Sequence, residues 1–424
     1  MKYFKSDYFK YLNNQLYCEK VNLAQLIEEF GTPLYVYSKN FFIDRFKELD
    51  DAFKLINHKI YFASKANFNL SVIKTFYELG SGVDVNSAGE FYRALKAGVS
   101  PKDMLLTGVG KTNEEIALGL KKGAFVIKAE SLEEVYLINE IASEMDVIAP
   151  IAIRVNPDVD AETHPYISTG LAENKFGIDS IYAFDMFLEC AKLSNIELIG
   201  IDMHIGSQIT KIEPFIEATL KIAELYKKIK TAGIPLKHFD IGGGIGVVYN
   251  NENVFSPKEL AEKLIPIFMQ LDAEIMFEPG RFLTANGGVL LTDVLYSKTN
   301  SLGKNFVVVD SAMTDLLRPS LYKSYHHVQP IEIIDNIDFI ADIVGPVCET
   351  GDYLAKDREI TTVGRGDKLA IMSTGAYGMV MSSNYNGRRR PAEILVDGSD
   401  YKIIRSRETF KHLIFDEETF LKTE

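Results

Sequence analysis

Residues 199–244 read IGIDMHIGSQITKIEPFIEATLKIAELYKKIKTAGIPLKHFDIGGG. A short apolar run, Ile199 to His204, leads through a polar turn into a stretch at helical spacing, Glu213 to Thr231, that closes at Gly233. A second short run, Phe239 to Ile241, follows. Strand, helix and strand in this order make one βα unit of a parallel sheet. Working outward, the same texture recurs at Ile60 to Ser64, Gly82 to Val85, Met104 to Thr107, Phe125 to Lys128, Ile151 to Val155 and Ile275 to Phe277, with amphipathic stretches such as Ala88 to Ala97 and Asn113 to Lys121 between them. Eight parallel units predict a TIM-type (β/α)8 barrel. A doubly wound sheet would also alternate and is the alternative architecture.

After about Gly288 the texture changes. Runs at Val289 to Tyr296, Phe306 to Val309, Asp338 to Val344, Lys368 to Met372 and Glu393 to Val396 follow one another with turn residues and little helix, which predicts a C-terminal antiparallel β domain, a sandwich or barrel. The Pro33 to Tyr37 segment reads as a strand that joins it. The expected division is a barrel over 39–284 and a β domain over 1–38 and 285–424.

The chain has 424 residues, enough for two domains, and 46% apolar content fills a large core. A formal charge of -13 repels polyanions, so nucleic acid is not an expected partner. Cys18, Cys190 and Cys348 are odd in number and widely spaced, which suits a reducing compartment and supports no metal cluster. The N-terminus lacks the pattern of a signal peptide and no apolar run approaches a membrane span, so a cytoplasmic protein without a membrane partner is expected.

In a barrel the residues just past the strand ends line the active-site mouth. Here they include Lys65 after strand one, Asp84 in strand two, Arg154 and Asn156 at strand five, and His204 with Ser207 after strand six. Gly242-Gly-Gly244 follows strand seven, and Glu278-Pro-Gly-Arg281 follows strand eight. Bare backbone amides and a guanidinium at strands seven and eight suit a phosphate. A glycine triplet alone is more often a tight turn; its place beside the strand-eight loop favours a ligand. Most lysines are solvated charges, yet an amine at the end of an apolar strand is partly desolvated and nucleophilic. Glu278 facing an aromatic nitrogen would keep that nitrogen protonated and the ring an electron sink. His204 alone reads as a satisfied core histidine; over a flat cofactor it reads as a stacking ring.

The motifs Phe62-Ala-Ser-Lys-Ala-Asn67, Gly82 to Glu90, His204-Ile-Gly-Ser-Gln208, Gly242-Gly-Gly244, Glu278-Pro-Gly-Arg281, Cys348-Glu-Thr-Gly-Asp352 and Gly375-Ala-Tyr377 closely resemble the fold-type III, alanine racemase-like decarboxylases that use pyridoxal phosphate. Order and spacing match over nearly the whole chain. Within that group Asn156 to Tyr166 running to Asn174-Lys-Phe-Gly177, Arg318-Pro-Ser-Leu-Tyr322 and Cys348-Glu349 look like the diaminopimelate decarboxylases.

The resemblance implies a homodimer with shared active sites and a small amino-acid substrate, meso-2,6-diaminopimelate, converted to L-lysine and carbon dioxide. Lys65 would carry pyridoxal 5'-phosphate covalently, with Asp84 nearby, His204 stacked on the ring and Glu278 at its nitrogen. Ser207, Gly242, Gly243, Gly244, Gly280, Arg281 and Tyr377 would surround the phosphate. Arg281, Arg318, Tyr322 and Tyr377 would hold substrate, and Glu349 its distal amine, because a second amino-acid end needs a cationic fork and an anion. Cys348, lent with Glu349 by the partner subunit, would deliver the proton that replaces carbon dioxide; taken alone, a free cysteine is more often a small buried hydrophobe. No metal is expected.

Two departures stand out: Asn86-Ser-Ala-Gly89 where many relatives have a second glycine, and Phe-Ala-Ser-Lys in place of the commoner tyrosine-alanine lead-in. Both bear on packing around the ring. The Arg388 to Arg390 run and the His326-His327 pair read as solvated surface groups. Asp158 to Lys175 is the candidate lid. The competing readings are a decarboxylase of the same fold acting on arginine, ornithine, D-lysine or carboxynorspermidine, a non-catalytic carrier of the cofactor, and a lysine-dependent aldolase without it.

Overall fold

All eight apolar runs are strands in the computed structural model, which describes residues 3–4, 6–161, 169–170, 174–333 and 336–421. They are β1 His58–Ala63, β2 Gly82–Val85, β3 Met104–Leu106, β4 Val126–Ala129, β5 Ala149–Asn156, β6 Ile196–Asp202, β7 His238–Asp240 and β8 Glu274–Phe277. Each pairs in parallel with the next, β8 pairs with β1, and β4 pairs with β5 through Ile127 and Ile151, so the sheet closes on itself. Closure excludes the doubly wound alternative. The intervening helices include Ala88–Lys96, Asn113–Lys122 and Glu213–Thr231. Ser87, Thr112 and Ser131 start three of them as N-caps, each accepting a backbone N–H with its side chain.

The barrel interior is layered. Tyr61, Leu105, Val126, Ala152, Ile199 and Met276 form one apolar cluster drawn from six strands. A Cβ on Gly82 would collide with the Tyr61 ring, so the glycine makes room for that plug. Side chains two residues apart on a strand share a face. The next inward layer toward the strand ends therefore carries Thr107, Lys128, Arg154 and Glu278, polar groups placed on an apolar floor.

The chain divides into two compact units: 43–247 with 252–283, which holds the barrel, and 1–42 with 248–251 and 284–424. The second unit is built on a nine-stranded sheet. Its strands are Leu34–Ser38, β9 Gly288–Thr299, β10 Asn305–Val309, β11 Val328–Pro330, β12 Asp338–Val344, β13 Tyr353–Thr361, β14 Lys368–Ile371, β15 Ala392–Asp397 and β16 Asp400–Arg405. Most pairings are antiparallel; β10 with β12 and Leu34–Ser38 with β15 are parallel. The early strand lies between β9 and β15, and its Leu34 and Val36 pack with Val289, Leu291, Ile394 and Val396. A small sheet of Phe9–Leu12, Gln15–Cys18 and Val21–Asn22, followed by the helix Leu23–Phe30, also belongs to this unit and has no counterpart in the sequence reading.

Asp315 is buried in this unit, and burial pushes its carboxyl up to about 7 against the opposing N–H of Ala312 and the charge of Arg388. The folded state then holds a proton between about pH 4 and 7 that the unfolded state has released, so stability falls as pH rises through that window. Asp315→Asn does not titrate. Its stability relative to the parent should rise with pH across the window by up to about 1.4 kcal/mol per pH unit. Thermal unfolding at several pH values checks this, and parallel pH profiles for the two proteins would contradict it.

Candidate active site

Because all eight strands run the same way, their C-terminal ends meet at one mouth. Lys65 lies in the short 3₁₀ turn Ser64–Ala66 directly after β1. Its Nζ is 3.6 Å from Oδ2 of Asp84, a residue with no exposed surface, while the lysine side chain itself is 38% exposed. The amine is thus held beside a buried anion yet open to the mouth. Asp84 also accepts a hydrogen bond from the Thr107 hydroxyl at Oδ1. The Ser64 hydroxyl reaches both the Asp84 carbonyl, at 2.8 Å, and Glu90, at 3.1 Å.

His204 follows β6 and is half-buried. Its Nδ1 accepts the Gly243 N–H at 3.1 Å, which leaves the ring proton on Nε2. Burial, then the cations Lys65, Arg154 and Lys128, hold its pKa well below the ordinary range. A neutral flat ring results, the form suited to stacking on a heterocycle.

The triplet Gly242-Gly243-Gly244 leaves β7 and is gripped from both sides. The Gly242 N–H donates to Asp240 Oδ1 at 2.7 Å, and its carbonyl accepts the Glu278 N–H at 2.7 Å. Gly242 and Gly244 have φ of 69° and 106°, in the left-handed region that glycine tolerates. A Cβ on Gly243 would overlap the Glu278 carbonyl oxygen, and one on Gly280 would come within 2.9 Å of the Ala66 Cβ. Beside them the buried Arg281 donates from Nε and Nη2 to the Ser207 hydroxyl, at 3.2 and 3.0 Å. Bare backbone, a guanidinium and a hydroxyl make a donor set that fits a phosphate. Together with the Lys65 amine, the neutral histidine and the Glu278 carboxyl, these residues fit pyridoxal phosphate.

Glu278 is buried, and its Oε1 accepts from Lys128 Nζ at 2.5 Å. The same ammonium donates to Asp202 and Asp240, each at 2.7 Å. Burial pushes Glu278 well above the usual carboxylate range; Lys128 opposes this, and Asp240, Asp84 and Asp202 add to it. Burial likewise lifts Asp240, up to about 6, against Lys128. Burial alone would lower Lys128, but Asp202, Asp240 and Glu278 hold it above its ordinary value. Lys128, Asp202 and Asp240 are not among the site residues expected from the sequence. The signal was a charged residue inside each apolar run, next to the positions taken as strand ends.

The remaining candidates lie in the second unit. Arg318 opens the helix Arg318–Tyr322 and is buried, with Nη1 donating to the Tyr249 hydroxyl at 3.1 Å and Nη2 to Ser324 at 3.2 Å. Tyr322 ends that helix, half-buried. Cys348 and Glu349 are exposed on a loop; Asn386 accepts the Cys348 N–H at 2.9 Å and the Tyr385 hydroxyl donates to Glu349 at 2.9 Å. The Ser320 hydroxyl bonds the Gly351 carbonyl at 2.6 Å, which ties the helix to that loop. Buried Asp352 accepts the N–H groups of Met313 and Val347 and anchors it further. Tyr377 is half-buried with φ of 55°, an unusual conformation for a residue with a side chain and one found often at functional sites.

Two readings need correction. His326 is fully buried, bonded through Nδ1 to the Met372 carbonyl at 2.9 Å and packed edge-on to Tyr249, so it is a core residue and not a surface one. Two members of the arginine run are likewise engaged, Arg388 donating to the Asp310 carbonyl and Arg390 pairing with Glu408, while Arg389 is exposed and lies over Phe410. Of the candidate lid, residues 162–168 and 171–173 lie outside the described residues. Just past its C-terminal end Phe176 lies beneath Arg154, which pairs with Glu130 at 3.1 Å.

The family profile described as "Pyridoxal-dependent decarboxylase, pyridoxal binding domain" matches residues 40–285. The diaminopimelate decarboxylase of Aquifex aeolicus is 45% identical, covering 96% of this chain and 97% of that protein; that of Campylobacter jejuni is 44% identical, covering 95% and 100%. Among solved structures, diaminopimelate decarboxylase from Helicobacter pylori complexed with L-lysine is 41% identical with a TM-score of 0.91, covering 94% of this chain and 100% of that one. The M. jannaschii enzyme in co-complex with L-lysine is 35% identical with a TM-score of 0.92, covering 97% and 98%. With motifs, barrel and relatives in agreement over nearly its full length, the chain belongs to the pyridoxal-dependent decarboxylases and, among them, to the diaminopimelate decarboxylase family.

Proposed function

We propose that the protein removes carbon dioxide from meso-2,6-diaminopimelate to give L-lysine, the last step of lysine biosynthesis, as a cytoplasmic homodimer. One observation carries the reading. A strand-one lysine amine, a neutral histidine, a buried carboxyl and a glycine-lined phosphate cradle converge at one end of the barrel, and relatives alike over nearly the full length bear the name of this activity. Bound there, pyridoxal phosphate supplies an electron sink for the pair left on the substrate carbon when carbon dioxide departs.

The residues divide the work by chemistry. Lys65 holds the coenzyme covalently and Asp84 keeps that amine in place. Gly242, Gly243, Gly244, Gly280, Ser207 and Arg281 hold the phosphate, with Tyr377 completing its surroundings. His204 would lie against the ring, and Glu278 would keep its nitrogen protonated. Arg281, Arg318, Tyr322 and Tyr377 fix the substrate, the guanidinium of Arg318 giving a fork for the distal carboxylate. Glu349 takes the distal amine. Cys348, exposed and therefore available to a second subunit, delivers a proton to the substrate carbon.

Purified protein loaded with coenzyme is assayed for carbon dioxide and amine from meso-diaminopimelate, ornithine, arginine and D-lysine. Lysine from diaminopimelate should form at least about 100-fold faster than any other amine, because a buried polar site rejects substrates that leave its groups unpaired. Faster production of another amine would overturn the proposal.

A further inference from the structure

Lys128 sits where its ammonium can spend each of its three protons on a different carboxylate: Asp202 Oδ1 at 2.7 Å, Asp240 Oδ2 at 2.7 Å and Glu278 Oε1 at 2.5 Å. All four groups are buried. The three carboxylates offer oxygens within 4.8 Å of one another, the spacing of a cation site, and the chain supplies its own cation at the centre. Three acids still outnumber one base. Asp84 adds a further negative charge at Glu278, while His204, in the loop after β6, lies within the field of Lys128 together with Lys65 and Arg154. Tyr61 lies on the floor below.

We infer that Lys128 is a positioning residue for Glu278: it fixes one carboxylate oxygen, leaves the other for the mouth, and supplies the charge that lets Glu278 stay ionised against a protonated ring nitrogen. This rests on the reading of Glu278 as the partner of the coenzyme's ring nitrogen. The geometry links both halves of the coenzyme site through one side chain. Asp240 binds Lys128 with Oδ2 and the Gly242 N–H with Oδ1, and the Gly242 carbonyl in turn holds the Glu278 N–H. Remove the ammonium, and three buried carboxylates lose their common counter-charge. Glu278 already leans toward its neutral form through burial, so it becomes a neutral acid.

The test compares the affinity of the apoprotein for pyridoxal phosphate with that for its analogue carrying C–H in place of the ring nitrogen. The dissociation constant of the analogue divided by that of pyridoxal phosphate isolates recognition of the nitrogen from recognition of the phosphate. It should fall by about tenfold or more in Glu278→Gln and likewise in Lys128→Gln. Asp202→Asn removes an acid, keeps Lys128, and should leave the ratio unchanged or raise it. A parental ratio in Glu278→Gln would overturn the reading of Glu278 and the inference with it. A collapsed ratio in Glu278→Gln beside a parental one in Lys128→Gln would overturn the inference alone. Where Lys128→Gln does not fold, Asp202→Asn decides: a fall of about tenfold there contradicts the charge relation.

Discussion

Replacing Lys65 with alanine should lower turnover of meso-diaminopimelate by about 10³-fold or more, since the residue's part is covalent and the other lysine near His204, Lys128, is bonded to three carboxylates. Lys65→Arg separates two roles. It keeps a cation near Asp84, whose carboxylate has no exposed surface, but offers no nucleophilic amine. Activity should fall as far in the arginine variant as in the alanine one. The alanine variant should in addition lose stability, because it strips a buried carboxylate of its cation. Single-turnover rates and thermal unfolding of both variants check this. Arginine-supported turnover within about tenfold of the parent would show that charge, and not the amine, matters at this position.

The second large effect is expected at Gly243. Its added Cβ would overlap the Glu278 carbonyl oxygen, and that segment is bolted to the triplet by the bond from the Glu278 N–H to the Gly242 carbonyl. Backbone cannot swing aside as a side-chain tip can, so Gly243→Ala must part the β7 and β8 loops. The cost should be about 1–3 kcal/mol of stability, the usual range for overpacking. Coenzyme affinity should fall by about 10-fold or more, because the donors of the phosphate cradle move with those loops. Gly364→Ala is the control: a Cβ there meets nothing within 4 Å, and stability and affinity should stay near parental. Equal behaviour of the two alanine variants would refute the cradle.

The barrel was legible because every strand is a short apolar run and eight of them suit a barrel, while closure itself rests on the pairing of β8 with β1. Lys65, His204, the glycine triplet and Glu278 were legible for a related reason, as each stands just past such a run. Lys128, Asp202 and Asp240 were not. A parallel strand covered on both faces shows no alternation, so the sequence does not say which residues point inward. A lysine in Val126–Ala129 and aspartates ending β6 and β7 meet only once the sheet curls shut. His326 was misjudged because its partners, the Met372 carbonyl and the Tyr249 ring, lie 46 residues later and on a distant loop. The small sheet of Phe9–Leu12, Gln15–Cys18 and Val21–Asn22 escaped because its strands are too short for a periodic signal, and the first carries Lys10. Its burial depends on Val289, Leu291 and Ile394, far along the chain.

Borohydride reduction of the coenzyme-loaded protein, followed by mass spectrometry of its peptides, bears most directly on the central claim. The account predicts one coenzyme-sized mass increase per chain, confined to the peptide that contains Lys65. An adduct on Lys128 or any other lysine, or none, would contradict it.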